Sequence, residues 1–394
     1  MNYEELFNPN VVAMKPSGIR KFFDIAAEMH DCISLGVGEP DFVTPWNIRD
    51  SAIKSIIAGK TQYTSNAGLM QLREMISKYL SERFSLSYEP KNEIIVTVGA
   101  SEAIDMALRT FVAYGDEVLV PDPSYVSYQP NVQLVGGKAV PVLTTMDNGF
   151  ILTPESIEKA ITEKSKAIIL PYPNNPTGAI MTEDQLLAIV PTIIKHNLIV
   201  IADEIYGELT YGKKHCSIAS LDGMRERTVL ISGFSKAFAM TGWRVGYVCA
   251  PKEVLQQMYK IHQYTIMCAS TNSQYGAYTA LKEGLEDDFA SVVQMREAYD
   301  MRRKYLVSEF RSMGMECFEP CGAFYVFPCV KGFNMTGDEF AEKLLYSQKV
   351  AVVPGSAFGK GGEYHVRCSY AYSMQSLKKA CEKIRAFINT LPQK

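Results

Sequence analysis

The chain has 394 residues, of which 47% are hydrophobic and 21% are charged, and these proportions are typical of a protein that buries extensive cores. The net charge of −3 gives no reason to expect a nucleic-acid or membrane partner, and no apolar run approaches the roughly 20 residues of a membrane span. The polar N-terminus does not resemble a secretory signal, so a cytoplasmic enzyme is the default expectation.

The cysteines and histidines form no pattern that would bind a metal. Nine cysteines are spread along the chain without a C-x-x-C pair, and the closest two are Cys317 and Cys321. The five histidines are also scattered, so we expect reduced cysteines buried as small hydrophobic residues, and no metal site.

Strand-like and helix-like segments alternate through the first two thirds of the chain. Helical spacing is present in 100–115 and 183–197. The apolar, β-branched runs between helices are nearly continuous, as expected of strands that are covered on both faces. Alternation of this kind predicts an α/β fold with a mostly parallel, doubly wound sheet. The predicted strands are 93–99, 116–121, 166–173, 198–204, 228–233 and 244–250.

The character of the sequence changes after about residue 285. A long polar helix is predicted over 289–313, and short alternating strands follow at 322–328 and 364–371. This pattern predicts a second, smaller α+β domain. The expected division is an N-terminal arm with part of the small domain (1–48), a large domain (49–285) and a small C-terminal domain (286–394).

Polar residues follow several predicted strands, at the edge where open α/β sheets bind ligands. Ser101 lies near the start of a helix, where free N–H groups favour an anion, although many such serines only cap a helix. Asn175 precedes Pro176 in a turn, and it either faces a cleft or simply belongs to a loop. Asp203 ends an apolar strand, so it needs a cationic partner or several donors, unless it caps the next helix.

Two cations stand alone in the stretch SGFSKAFAMTGWRVG (232–246). Lys236 lies just past a predicted strand, and the only other full charge in this stretch is that of Arg244. Apolar surroundings disfavour the ammonium form, so we expect the pKa of Lys236 to fall and its amine to become nucleophilic. Arg367, in an alternating strand, suits bidentate binding of a carboxylate, unless it is an ordinary surface arginine.

One ligand would satisfy all of these residues. It carries an anion for Ser101 and Arg244, an aldehyde that bonds to Lys236, and a ring cation that faces Asp203. That ligand is pyridoxal phosphate, whose ring acts as an electron sink. The remaining polar residues would bind the ring oxygen, through Tyr206 and Asn175, and the substrate α-carboxylate, through Arg367.

Nine motifs along the chain combine into a highly specific pattern. They are SLGVGEPDFVTP (34–45), QYTSNAGLMQLR (62–73), VGASEA (98–103), PNNPTG (173–178), DEIY (203–206), SKAFAMTGWRVGY (235–247), GAFYVFP (322–328), VPGSAFG (353–359) and VRCSYA (366–371). With them, nearly the whole chain resembles the class I and II aminotransferases of the aspartate aminotransferase superfamily, pyridoxal-phosphate fold type I. The segment KPSGIRKFFDIA (15–26) most resembles a subgroup that includes bacterial aromatic and N-acetyl-LL-diaminopimelate aminotransferases. The resemblance implies a homodimer with active sites at the subunit interface.

The resemblance also implies a role for each matching position. Lys236 would link to the cofactor and carry the proton of the 1,3-shift, while Asp203 would pair with the pyridine nitrogen. Tyr125 would stack on the ring, and Tyr63 would reach the phosphate in the neighbouring subunit. The other contacts would be Tyr206 and Asn175 to the ring oxygen, Ala100, Ser101 and Arg244 to the phosphate, and Gly38 and Arg367 to the substrate carboxylate.

Some positions depart from the family pattern. Many relatives have a phosphate-binding serine where this chain has Gly233, and Ser235 is the expected substitute. The arginine by which aspartate-type members grip the distal carboxylate should fall near 267–271, where no arginine stands. A lysine that some bacterial relatives use instead would replace Ser101. A strict aspartate enzyme is therefore not expected.

The expected reaction is ping-pong transfer of an amino group from an L-amino acid to a 2-oxo acid, with 2-oxoglutarate as the expected acceptor. We expect an aromatic or long donor, such as one like N-acetyl-diaminopimelate, whose side chain contacts Ile19 and Arg20. The alternative is a C–S β-lyase for cystathionine-like substrates, which would use the same lysine and aspartate. The AMTGWR segment after Lys236 favours an aminotransferase. An NAD-dependent dehydrogenase is disfavoured because no G-x-G-x-x-G follows a predicted strand.

Overall fold

The computed structural model describes residues 1, 3, 5–14, 16, 18, 29 and 31–392. Its strands are, in chain order, β1 (Ile33–Ser34), β2 (Ile94–Thr97), β3 (Glu117–Asp122), β4 (Lys138–Leu143), β5 (Ser165–Leu170), β6 (Ile199–Asp203), β7 (Thr228–Gly233), β8 (Gly246–Cys249), β9 (Tyr325–Val326), β10 (Val350–Ala351), β11 (Val353–Pro354) and β12 (Val366–Ser369). Seven of them form the central sheet in the order β2-β8-β7-β6-β5-β3-β4, in which β8 alone runs antiparallel to its neighbours. The predicted mostly parallel sheet is therefore confirmed.

Helices pack on both faces of this sheet and around the C-terminal strands. They are α1 (Pro9–Val12), α2 (Trp46–Ile57), α3 (Met70–Phe84), α4 (Gly99–Phe111), α5 (Tyr128–Leu134), α6 (Pro154–Ala160), α7 (Glu183–Lys195), α8 (Lys252–Thr265), α9 (Thr271–Glu286), α10 (Ala290–Ser312), α11 (Gly337–Gln348) and α12 (Met374–Asn389). Across the described ranges, none of these helices has the length and apolar character needed to cross a membrane.

The strands of the central sheet are apolar on both faces because helices cover both faces. In β6, Val200 and Ala202 pack into one core together with residues of α6 and α7. Ile201 points to the opposite face and packs with residues of α4, α5 and α8. Successive side chains of a strand alternate between faces, so a continuous apolar run is the pattern required of a strand in the middle of three layers.

The C-terminal elements form a second core. β12 lies between β11 and β9 in a three-stranded antiparallel sheet, and apolar residues of α10, α11 and α12 pack in the same cluster. β1 pairs in parallel with β10, so residues 33–34 join these C-terminal elements. The domain bounds expected from the sequence stay a prediction.

Two strands differ from what the sequence pattern indicates. β4 was not predicted, because its sequence, KAVPVL, contains Pro141 and is not a continuous apolar run. In the structure β4 is the edge strand of the sheet, which explains why only its Val142 is buried and why a proline is tolerated. β12 was expected to alternate between a buried and an exposed face, and this was wrong, because all four residues are buried. Val366 and Cys368 pack in the C-terminal core, and Arg367 on the other face packs against Asn175 and the rings of Tyr325 and Phe358. Arg367 is consequently not a surface arginine, and only 3% of it is exposed.

The imidazole of His365 predicts a measurable pH dependence of stability. Its ring stacks on Phe327 with the centroids 4.7 Å apart, and neither ring nitrogen has a hydrogen-bond partner in the described part of the chain. Burial lowers the pKa of His365 to about 4, so the unfolded chain binds a proton between about pH 6.5 and 4 that the folded chain does not. The folded state therefore loses stability as the pH falls through this range.

We expect His365→Phe to remove this loss, because phenylalanine keeps the stacking and does not titrate. Thermal midpoints measured from pH 7.5 to 4.5 should fall less steeply for the variant than for the wild type. The variant should also be more stable at pH 7.5 by about 1 kcal/mol, because two unsatisfied buried nitrogens are gone. Parallel pH profiles for the two proteins would contradict this account of His365.

Candidate active site

A cavity of about 720 Å³ lies at the edge of the central sheet where the parallel strands end. It is lined from β6 by Asp203, from the turn after β7 by Lys236, and from the turn before β8 by Arg244. Because β8 is antiparallel, its start lies at the same edge as the end of β7. The predicted site residues that line the cavity are Gly38, Ala100, Ser101, Tyr125, Asn175, Asp203, Tyr206, Ser235, Lys236, Arg244 and Arg367.

The structure does not bring every predicted residue to this cavity. Tyr63 is not among the lining residues, and 79% of it is exposed in the single subunit. Its predicted contact with a neighbouring subunit therefore stays a prediction. Ile19 and Arg20, expected to contact the substrate side chain, lie outside the described residues.

At one end of the cavity, the Arg244 guanidinium lies close to the backbone at the start of α4, and this end suits an anion. α4 begins at Gly99, which has a φ of +71°. The Glu102 carboxylate accepts a hydrogen bond from the N–H of the preceding Val98, and the Val98 side chain itself makes no capping bond to the first turn. A Cβ on Gly99 would lie 2.6 Å from a terminal nitrogen of Arg244. The guanidinium therefore sits against the first turn of α4, where free N–H groups and a fixed cation together favour a phosphate.

Gly233, at the family's serine position, has a structural explanation. It pairs with Gly246 across β7 and β8, and a Cβ on Gly233 would lie 2.8 Å from the Cα of Gly246. A Cβ on Gly246 would in turn lie 2.8 Å from the carbonyl carbon of Gly99. The strands and the start of α4 are packed backbone to backbone, so a serine side chain does not fit at position 233. Ser235 lines the cavity and remains the predicted substitute.

The acidic residue of the cavity is Asp203, which is 6% exposed. Its Oδ2 accepts a hydrogen bond from the Tyr128 hydroxyl at 2.8 Å, and its Oδ1 accepts one from the Ile205 N–H at 3.2 Å. Burial raises the pKa of Asp203, and only part of that rise is offset by these hydrogen bonds. Asp203 makes no ion pair in the described part of the chain, although Lys236 is near enough to act on its pKa. A buried carboxylate of this kind suits the protonated nitrogen of a pyridine ring.

Lys236 is partly buried in the cavity wall, as its uncharged neighbourhood predicts. Its Nζ donates a hydrogen bond to the Gly38 carbonyl at 2.6 Å and lies 5.8 Å and 5.6 Å from the ring centroids of Tyr206 and Phe324. Burial lowers the pKa of Lys236 to about 8, even though nearby Glu39 acts in the opposite direction. Half of the amine is therefore neutral at about pH 8, and a neutral amine is the form that attacks an aldehyde.

Arg367 is held in a fixed orientation by neutral partners. Its terminal nitrogens donate to Asn175 Oδ1 at 2.8 Å and to the Gly36 carbonyl at 2.5 Å, and its guanidinium lies over the rings of Tyr325 and Phe358. Nε has no partner in the described ranges. A buried guanidinium with only neutral partners suits a carboxylate ligand. Because Arg367 uses the oxygen of Asn175, the amide nitrogen is the atom left to donate to a ligand.

Two tyrosines of the site were missed by the sequence analysis. Tyr128 binds Asp203 and follows Tyr125 by three residues in PDPSYVSY, but no role was assigned to it. The Tyr325 hydroxyl lies 3.0 Å from that of Tyr206, and a Cβ on Gly38 would lie 2.6 Å from it. Tyr325 stands in the motif GAFYVFP, so the family resemblance offered a signal that residue chemistry alone did not.

The family model described as "Aminotransferase class I and II" matches residues 30–384. This chain belongs to that family. A Bacillus subtilis protein named "Probable N-acetyl-LL-diaminopimelate aminotransferase" is 43% identical over 385 residues, which are 98% of this chain and 96% of that protein. The aspartate aminotransferase of Pyrococcus abyssi is 47% identical over 372 residues, 94% of this chain and 95% of that protein. The crystal structure of an aromatic aminotransferase from Pyrococcus horikoshii has a TM-score of 0.89 at 43% identity, covering 94% and 98% of the two chains.

The aminotransferase is pyridoxal-phosphate dependent, and its own residues fit that cofactor. The cradle of Gly99 and Arg244 suits the phosphate, buried Asp203 suits the ring nitrogen, and the amine of Lys236 suits the aldehyde. The names of the three relatives agree on amino-group transfer, but each gives a different substrate, so they do not identify the amino donor of this chain.

The phosphate cradle predicts a specific effect of Gly99→Ala. A methyl group there displaces the Arg244 guanidinium and forces alanine into a positive φ, so we expect at least about tenfold weaker binding of pyridoxal phosphate. Fluorescence titration of the cofactor-free protein measures the dissociation constant. Gly115→Ala is the matched control, because Gly115 has a φ of +87° and a Cβ there would contact nothing. Equal loss of cofactor affinity in both variants would reject the cradle.

The pKa of Lys236 predicts its reactivity in the cofactor-free protein. We expect a lysine-directed reagent to label Lys236 with a half-maximal rate near pH 8, because burial lowers its pKa to about that value. An ordinary exposed lysine titrates near pH 10.4. Peptide mapping by mass spectrometry after short exposures between pH 6 and 11 measures the profile. A midpoint above pH 10 at Lys236 would refute this assignment.

Proposed function

We propose that the enzyme transfers the amino group of an L-amino acid with an aromatic or long side chain to 2-oxoglutarate, in two half-reactions. The observation that carries this proposal is the number of cations around the cavity and the ligand group that each of them suits. Among the described lining residues, the cations are Lys236, Arg244 and Arg367. Arg244 suits the cofactor phosphate, Lys236 suits its aldehyde and Arg367 suits the substrate α-carboxylate, so none is left for a second carboxylate on the donor.

The proposed catalysis follows from what the chain's own residues hold in place. Arg367 binds the donor α-carboxylate and thereby orients the α-hydrogen towards Lys236. The neutral amine of Lys236 takes that proton from the α-carbon and returns it at the cofactor side. Asp203 remains ionised opposite the ring nitrogen, with Tyr128 fixing its orientation. Pyridoxal phosphate, when bound, supplies the electron sink that makes the α-hydrogen acidic.

2-Oxoglutarate has a distal carboxylate, which requires a cation from outside the described lining of the cavity. Arg20 is the candidate, because the segment 15–26 occupies the place of the family's substrate-closing region in the sequence resemblance. In this proposal Ile19 contacts the donor side chain and Arg20 the acceptor carboxylate.

We also propose a cytoplasmic homodimer, with the domain bounds given above. Large apolar side chains are exposed on one subunit at Ile53, Ile56 and Ile57 of α2, and Tyr63 and Tyr264 are 79% and 91% exposed. Burying such residues in a subunit interface is favourable, and exposed apolar side chains grouped on one element mark interaction surfaces. Tyr63 would then approach the cavity of the partner subunit.

A panel of amino donors with 2-oxoglutarate tests the proposal. We expect kcat/KM for phenylalanine, tyrosine or an N-acetyl-diaminopimelate-like donor to exceed that for aspartate by at least about tenfold. The described lining has no cation for the second carboxylate of aspartate, which is one methylene shorter than that of 2-oxoglutarate and would not reach Arg20 as well. Lys236→Ala should lower turnover of every donor by at least about 10³-fold because the proton carrier is lost. Arg20→Ala should raise the KM for 2-oxoglutarate more than that for the donor.

Three results would contradict the proposal. A preference for aspartate would reject the donor class. Pyruvate release from cystathionine without an acceptor would favour the C–S β-lyase. Unchanged constants in Arg20→Ala would remove the role given to that arginine.

A further inference from the structure

A second cavity, of about 360 Å³, lies between the two cores of the molecule. The end of α3 forms one wall, and the segment 207–215 and Arg296 of α10 form the other. Leu209 and Tyr211 of this segment pack in the same core as α10. α10 belongs to the C-terminal core through residues such as Met295 and Tyr299. The cavity is separate from the active site, with which it shares no lining residue in the described part of the chain.

The lining of the cavity carries more positive than negative charge, because four lysine and arginine side chains stand against two carboxylates, those of Glu82 and Glu208. Three of these cations, Lys213, Lys214 and Arg296, make no ion pair and no hydrogen bond with any described residue. Arg83, by contrast, is saturated by Glu208 at 2.9 Å and by a second carboxylate. Bringing like charges together on one concave surface is unfavourable unless an anion compensates them, and low-dielectric walls strengthen the effect.

A buried imidazole provides a second, independent observation at the same place. The His215 side chain is 5% exposed and lines the cavity. Its Nε2 is 2.7 Å from Glu204 Oε2, and Glu204 Oε1 accepts a hydrogen bond from Ser217 at 2.7 Å. Nδ1 of His215 has no hydrogen-bond partner within the described ranges. The imidazole is therefore oriented by Glu204 and keeps one nitrogen available to a ligand in the cavity.

We propose that this cavity is a second ligand site, and that it binds a small multiply charged oxyanion of the phosphate class. The planar guanidinium of Arg296 suits two phosphate oxygens at once, and the two lysines add point charges. The imidazole of His215 would add a further hydrogen-bonding nitrogen. A bound anion would tie Arg296 of the C-terminal core to the segment that follows Tyr206 of the active site.

Binding of inorganic phosphate to the holoenzyme tests the proposal. Bound cofactor occupies the phosphate cradle at Arg244, so that cradle does not contribute. Calorimetry at pH 7 and constant ionic strength, set with potassium chloride, should detect one phosphate per subunit, and the thermal midpoint should rise with phosphate. Lys213→Gln/Lys214→Gln and Arg296→Gln should each weaken binding at least fivefold. Circular dichroism establishes that the variants are folded, and no turnover is required, so the outcome is independent of the proposed donor.

Lys378→Gln/Lys379→Gln is the matched control. These neighbouring lysines of α12 are exposed, and neither is among the residues that line the second cavity. The control should bind phosphate as tightly as the wild type. Equal binding in all variants, or loss of binding in the control, would overturn the site. Loss only in the lysine variant would overturn the role given to Arg296, and binding of citrate without binding of phosphate would overturn the phosphate class.

Discussion

One cavity keeps a lysine amine and a carboxyl group away from water, and the proposed chemistry depends on both. Burial lowers the pKa of Lys236 and raises the pKa of Asp203, so each group is pushed towards its neutral form. A cofactor that bonds to the amine and presents a ring cation to the carboxylate relieves both costs at once. In the proposed site, the fold favours pyridoxal phosphate by leaving two buried groups that a suitable ligand satisfies.

Glycines allow the cavity to be built at atomic distances. Gly99, Gly233 and Gly246 bring α4 and the strands β7 and β8 into backbone contact, which sets the Arg244 guanidinium against the start of the helix. Gly38, elsewhere in the lining of the cavity, allows a similarly close approach, in this case by the Tyr325 hydroxyl. Side chains at these positions would enlarge the cradle and separate the cation from the helix start that it reinforces.

The turn after β6 connects the two cavities of the molecule. Asp203 faces the active site, while Glu204, the next residue, is turned to His215 and Ser217. The backbone carbonyl of Glu204 also accepts a hydrogen bond from Ser232 of β7. The negative charge of Glu204 contributes to the raised pKa of Asp203, so the residue that orients His215 also acts on the carboxyl group in the active-site cavity.

The sequence by itself determined the alternating α/β pattern, the strand ends and most of the residues that line the active site. It could do so because strand periodicity and isolated charges are local properties: Lys236 and Arg244 stand out within fifteen residues of apolar sequence. Only the tertiary structure decided which partners these residues have. Arg367 meets Asn175 across 192 positions, and the Tyr325 hydroxyl meets that of Tyr206 across 119.

The burial of Arg367 was likewise decided by its tertiary surroundings. A strand of alternating residues is half exposed only when it lies on an open face, and β12 is the middle strand of a covered sheet. The same reason explains why Gly233 replaces a serine, since the constraint is the backbone of Gly246 and not any neighbour in sequence. Local sequence specifies which groups can act, and contacts between distant segments decide which of them are buried, paired and aimed at a ligand.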